Sequence, residues 1–109
     1  MISLFNALRK AWSADTSADT AWSPDNPALG QCAVTALVVQ DRLGGSLLRT
    51  TVGGVSHYLN RLPDGSVVDL TLGQFGGAYY DAEPEERSRD YVLSFASTVA
   101  RYETLRGRV

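Results

Sequence analysis

Asn26-Pro27-Ala28-Leu29-Gly30-Gln31-Cys32-Ala33-Val34-Thr35-Ala36-Leu37-Val38-Val39-Gln40 contains the most apolar helical run of this chain and its only cysteine. The run predicts a helix from about Gly30 or Gln31 to about Arg42, with Gly44 as its stop. Ala33, Val34, Ala36, Leu37, Val38 and Val39 surround most of its circumference, so it is expected to be buried on nearly all sides. A Pro/Gly-containing loop leads into it. The Cys32 thiol is therefore expected at a helix N-terminus, where the macrodipole and free backbone N–H groups favour a thiolate.

Working outward, Gly45–Val52 and Val55–Leu62 are β-capable and are joined by a Gly53-Gly54 turn. Pro63-Asp64-Gly65 is a hairpin signal that leads into a third strand, Ser66–Thr71. On the other side, Ile2, Leu4, Phe5, Leu8 and Trp12 recur at helical spacing and predict an amphipathic helix over 2–12. The repeated Ser-Ala-Asp-Thr of 13–16 and 17–20 reads as a loop. Trp22 is expected to pack beside the Cys32 loop. After Gln74-Phe75, two glycines, two tyrosines and the acidic run Asp81–Glu86 read as a surface loop. Arg87–Val109 reads as mainly helical, with a break near Ser94–Thr98. The predicted fold is α+β in a single domain over 1–109: a central helix packed on a small antiparallel sheet, with N- and C-terminal helices.

Composition narrows the function classes. The formal net charge is −2 and the basic residues are scattered, which argues against nucleic-acid binding. No apolar run approaches the length that spans a bilayer, and Met1–Trp12 lacks the pattern of a signal peptide. A single cysteine excludes an internal disulfide and suits a cytoplasmic protein.

His57 is the only histidine. It falls in the middle of the second predicted strand, with Asp69 one hairpin later. Cys32, His57 and Asp69 are thus candidates for nucleophile, base and orienting carboxylate. The hairpin tests the last link. If Leu62 faces Ser66 across a three-residue loop, Asp69 lies on the same sheet face as His57, within diagonal reach. A loop of even length would put it on the opposite face. For the oxyanion, the Cys32 backbone N–H is one natural donor, and the side-chain amide of Gln31 or Asn26 is a second. Trp22, Tyr58 and Asn60 are candidate cleft-wall residues. The same residues also suit blander roles: a lone cysteine on an apolar helix is often a packing residue, a strand histidine often a structural hydrogen-bonder, and Asp69 a turn cap. No paired-ligand spacing for a metal is present.

Three blocks, Asn-Pro-Ala-Leu-Gly-Gln-Cys-Ala-Val-Thr-Ala-Leu-Val-Val-Gln-Asp (26–41), Ser-His-Tyr-Leu-Asn (56–60) and Val-Asp-Leu-Thr-Leu-Gly-Gln-Phe (68–75), resemble the YunG-like family of small bacterial proteins. The resemblance extends to Ala-Arg-Tyr-Glu-Thr-Leu (100–105). The order Cys, His, Asp is also similar to that of papain-like and transglutaminase-like enzymes. That looser resemblance implies Cys32 as nucleophile, His57 as base and Asp69 as orienter. It implies an oxyanion amide six residues before the cysteine, where this chain has Asn26. The expected activity is hydrolysis or acyl transfer at an amide or thioester bond of a peptide or other acyl substrate, with no cofactor. The alternative is a non-catalytic binding module that keeps the fold.

Overall fold

The structure is a computed structural model and describes residues 2–109; Met1 lies outside the described residues. Helix α1 (Ile2–Ala11) is followed by a short 3-10 turn at Ala14–Thr16 and a long loop to helix α2 (Cys32–Leu43). Strands β1 (Ser46–Val52), β2 (Val55–Arg61), β3 (Val67–Val68) and β4 (Glu85–Arg87) form one antiparallel sheet in the order β3-β2-β1-β4. Helices α3 (Arg89–Val92) and α4 (Ala96–Arg106) close the chain. The architecture is α+β, and no helix among the described residues is long and apolar enough to cross a membrane.

Helix α2 is the centre of the core. Val34 through Val39 are all buried, and they meet Leu8, Trp12, Leu47, Val92, Tyr102 and Leu105 from the surrounding elements. The polar groups drawn into this core are paired: Trp12 Nε1 donates to Thr35 Oγ1 at 2.9 Å, and Asn60 Nδ2 to the Ala36 carbonyl at 3.0 Å. Asn60 therefore ties β2 to α2.

Period-two alternation sorts the sheet. Leu47, Tyr58 and Asn60 face α2. Leu48, Thr50 and Val52 of β1 share the other face with His57 and Leu59, and that face is also buried. The segment after the 3-10 turn Leu72–Phe75 runs across it: Thr50 Oγ1 donates to the Ala82 carbonyl, and the rings of Phe75 and Tyr80 pack on His57.

The hairpin register is the one on which the Asp69 assignment depends. Leu62 N donates to Ser66 O at 2.8 Å, Gly65 N to Leu62 O at 2.9 Å, and Asn60 pairs with Val68. The strand is shorter than expected, however, because Asp69 bends the chain. Its Oδ1 accepts the Thr71 amide at 3.2 Å, a local bond that competes with the ladder. The acidic run is a second departure. Glu85 and Glu86 keep their side chains in solvent, but their backbone pairs with Arg49 and Leu48 as β4. Exposed charge on an edge strand is compatible with pairing on its inner side. The C-terminal region divides at Leu93–Phe95, slightly before the break expected near Ser94–Thr98, since α4 already begins at Ala96.

Candidate active site

The loop before α2 brings Cys32 into place. Gly30 has φ +70°, and a Cβ there would lie 2.3 Å from Ser17 Oγ and 2.6 Å from Asp19 N. Only glycine suits both the left-handed backbone and the close approach. Gly30 N donates to Gln74 Oε1 at 3.1 Å, and Gly30 O accepts Ala18 N at 2.9 Å. The helix then opens on Cys32 itself, with Gln31 as the residue before it and no side-chain cap. The first amides of the helix therefore lack intrahelical partners.

His57 is fully buried. Its Nε2–H donates to Asp69 Oδ2 at 2.7 Å. That oxygen also accepts the Tyr80 hydroxyl at 2.7 Å, while the other carboxylate oxygen holds the Thr71 amide. Phe75 stands edge-on to the imidazole, with centroids 5.0 Å apart. The remaining ring nitrogen, Nδ1, is buried and makes no well-aligned hydrogen bond. Cys32 is the other polar side chain acting on the ring. Burial pushes the imidazole toward neutrality. The hydrogen bond to Asp69, the nearby Cys32 side chain and the negative charge of Asp69 outweigh that, and the pKa is raised to about 9. With that pKa the ring is an imidazolium at neutral pH, set between the Asp69 carboxylate and the Cys32 sulfur. Burial and the Asp69 contact hold the Tyr80 phenol in its protonated form, so it acts as a donor.

A cavity of about 720 Å³ opens beside Cys32. Ala18–Thr20 and Gly30 form one wall; Val55, Ser56 and Tyr58 form another. Residues of both sheet faces line it because β3 pairs only with Asn60 and Arg61, which leaves the start of β2 at a free edge. Burial of the Tyr58 phenol raises its pKa, and its neighbours Arg49 and Cys32 act on it in opposite senses.

The structure thus brings Cys32, His57 and Asp69 together and places Tyr58 on the cavity wall. It sends the other candidates elsewhere. Gln31 is buried, with Oε1 accepting Thr16 Oγ1 at 2.8 Å and Nε2 donating to Ser13 O at 3.0 Å. Asn26 Nδ2 donates to the Gln74 carbonyl at 3.2 Å and lines a separate cavity with Asp69. Trp22 Nε1 donates to Pro27 O at 2.9 Å and braces the loop before the cysteine. Asn60 is committed to α2. Tyr80 was not foreseen among the site residues. The adjacent pair Tyr79-Tyr80 read as surface loop, and their difference appears only in three dimensions: Tyr79 is 67% exposed, whereas Tyr80 turns its hydroxyl inward. No group of three or more His, Cys, Asp or Glu among the described residues is arranged to hold a metal ion.

The family model described as YunG protein matches residues 1–109. A relative from Bacillus subtilis (strain 168), described as uncharacterized protein YunG, is 41% identical over 68 residues. The alignment covers 62% of this chain and 56% of the relative, so the chain spans just over half the length of that protein. No solved structure matches.

Proposed function

The chain belongs to the YunG family, and we propose that it is a cysteine-nucleophile hydrolase or acyl transferase acting on an amide or thioester bond. The observation that carries this reading is the state of His57: one nitrogen clamped by Asp69, the other buried, without a well-aligned partner, in a ring that also feels Cys32. A buried ring nitrogen left unpaired is costly in a purely structural site. It is what a proton-transfer group requires.

In this reading the thiol proton resides on the His57 ring. The Cys32 thiolate attacks the substrate carbonyl carbon, a C–S bond forms and the carbonyl oxygen takes the negative charge. The Cys32 backbone N–H at the opening of α2 is the donor best placed for that oxygen. As the tetrahedral intermediate collapses, the imidazolium gives its Nδ1 proton to the leaving nitrogen or sulfur, and the C–N or C–S bond to the leaving group breaks. The neutral ring then takes a proton from water, or from an acceptor amine, which attacks the thioester and releases Cys32. Asp69 keeps Nε2 protonated throughout, and Tyr80 and Thr71 keep the carboxylate in place. No cofactor takes part. The succession of cysteine at a buried helix, histidine on an antiparallel strand and carboxylate after the next turn supports grouping this domain with papain-like and transglutaminase-like folds. A free thiol poised for chemistry suits a reducing, cytoplasmic setting.

Alkylation by iodoacetamide across pH, with the adduct located by mass spectrometry, tests the proposal. Cys32 is expected to be alkylated selectively in the folded protein at neutral pH. Replacing His57 by Gln is expected to slow that reaction sharply. A thiol that stays inert in the folded protein, or whose pH profile ignores His57, overturns the enzyme reading and favours a binding module.

A further inference from the structure

The cavity beside Cys32 has a chemical character of its own. Four aromatic side chains line it: Tyr58, Phe75, Tyr91 and Phe95. Tyr91 and Phe95 form an edge-to-face pair with centroids 5.8 Å apart and remain 43% and 50% exposed. Large apolar rings left in solvent at the mouth of a cavity mark a surface that an apolar group would cover.

Two arginines face the same space, Arg49 from β1 and Arg101 from α4. Arg49 Nε donates to Ser56 Oγ at 3.1 Å. Arg101 makes one long bond, 3.3 Å, to Thr98 Oγ1, and its Nε is buried without a partner. Neither guanidinium forms an ion pair among the described residues; Arg9, Arg42 and Arg61 also lack one, but only Arg49 and Arg101 line this cavity. The one carboxylate on the cavity lining is Asp19, which caps its own turn by accepting the Ala21 amide at 2.8 Å. A chain of net charge −2 therefore places two guanidinium groups without ion pairs around its single thiol. Arginine presents a planar fork of donors that matches the two oxygens of a carboxylate or phosphate.

We infer that the acyl substrate of Cys32 is a small amphiphile with an apolar, ring-sized group and an oxyanion group, the latter bound by Arg49 and Arg101. The inference rests on the proposed function for the word substrate, but the binding it describes is independent of the thiol chemistry.

Equilibrium binding to the Cys32→Ser protein separates the two. The probes are N-acetylphenylalanine, phenyl phosphate and the uncharged N-acetylphenylalaninamide, each titrated by NMR or calorimetry. At least one anion is expected to bind about tenfold or more tighter than the amide. The anion that wins identifies carboxylate or phosphate as the natural group. Arg49→Gln and Arg101→Gln are each expected to erase most of that preference, and Arg101→Lys to restore part of it. The inference is overturned if neither anion binds detectably, if the amide binds as well, or if the preference survives both Gln replacements. Iodoacetamide labelling of the wild-type protein runs in parallel. An inert Cys32 with the anion preference intact defeats the enzyme reading alone. A reactive Cys32 with no anion preference defeats this inference alone.

Discussion

Gln31 and His57 are both fully buried polar side chains within reach of the start of α2, yet their surroundings differ in kind. Gln31 is satisfied: its oxygen holds Thr16 and its nitrogen holds Ser13. It closes the 13–16 turn against the helix that carries the cysteine. His57 is half satisfied. Asp69 fixes one nitrogen and nothing aligned meets the other. The comparison separates two uses of a buried polar group. A complete set of hydrogen bonds builds structure, whereas an incomplete set beside a thiol retains a proton to move.

Gly30 joins the two regions, and its replacement breaks both. Gly30→Ala forces a Cβ onto Ser17 Oγ and the Asp19 amide in a left-handed backbone. We expect a loss of more than ~3 kcal/mol in urea unfolding, together with loss of selective Cys32 alkylation.

The charge on His57 gives the next largest effect. Because His57 is the only histidine, its ring signals are unambiguous in NMR. They are expected to titrate near pH 9. Asp69→Asn is expected to bring the midpoint down sharply, since burial then opposes the charge with less to balance it. A raised folded-state pKa means that the ring, taken alone, stabilises the fold fully below its unfolded value of 6.5 and loses that contribution as pH rises through about 9. The contribution is at most about 3 kcal/mol, measurable as the pH-dependent gap between wild type and His57→Gln in urea unfolding.

Two substitutions sharpen the contrast directly. His57→Gln should slow iodoacetamide labelling at neutral pH by ~100-fold, as expected for loss of an acid–base partner. Gln31→Ala should do the reverse: a loss of ~2 kcal/mol in stability, from two lost buried hydrogen bonds and the space left by the side chain, with labelling of the folded protein nearly unchanged. If Gln31→Ala removes labelling as thoroughly as His57→Gln, the division between the two residues fails. Tyr80→Phe gives the smallest effect. It removes one of the hydrogen bonds to Asp69 and should cost ~1 kcal/mol, with a labelling rate lowered only a few-fold.

Much of this arrangement was legible along the chain. The burial of α2 follows from apolar residues around its whole circumference, and the proximity of Asp69 to His57 from the three-residue loop at Pro63-Asp64-Gly65. Both are local rules: helical period in one case, two-residue alternation in the other. The amide candidates were less legible. Asn26 and Gln31 stand close to Cys32 in sequence, but side-chain direction depends on which backbone groups the fold leaves unpaired. Gln31 is drawn to the 13–16 turn and Asn26 to the Gln74 carbonyl.

Sequence alone determined the helix that carries Cys32 and its burial, which helical period sets, and it reduced the meeting of His57 and Asp69 to the parity of one hairpin, which the observed register settles. Tertiary structure decided the rest. It chose Tyr80 over Tyr79 as the partner of Asp69, turned the acidic run into an edge strand, and brought Arg49 and Arg101 to one cavity. Those outcomes depend on packing between segments far apart in the chain, where the position of one element fixes the hydrogen-bonding needs of another.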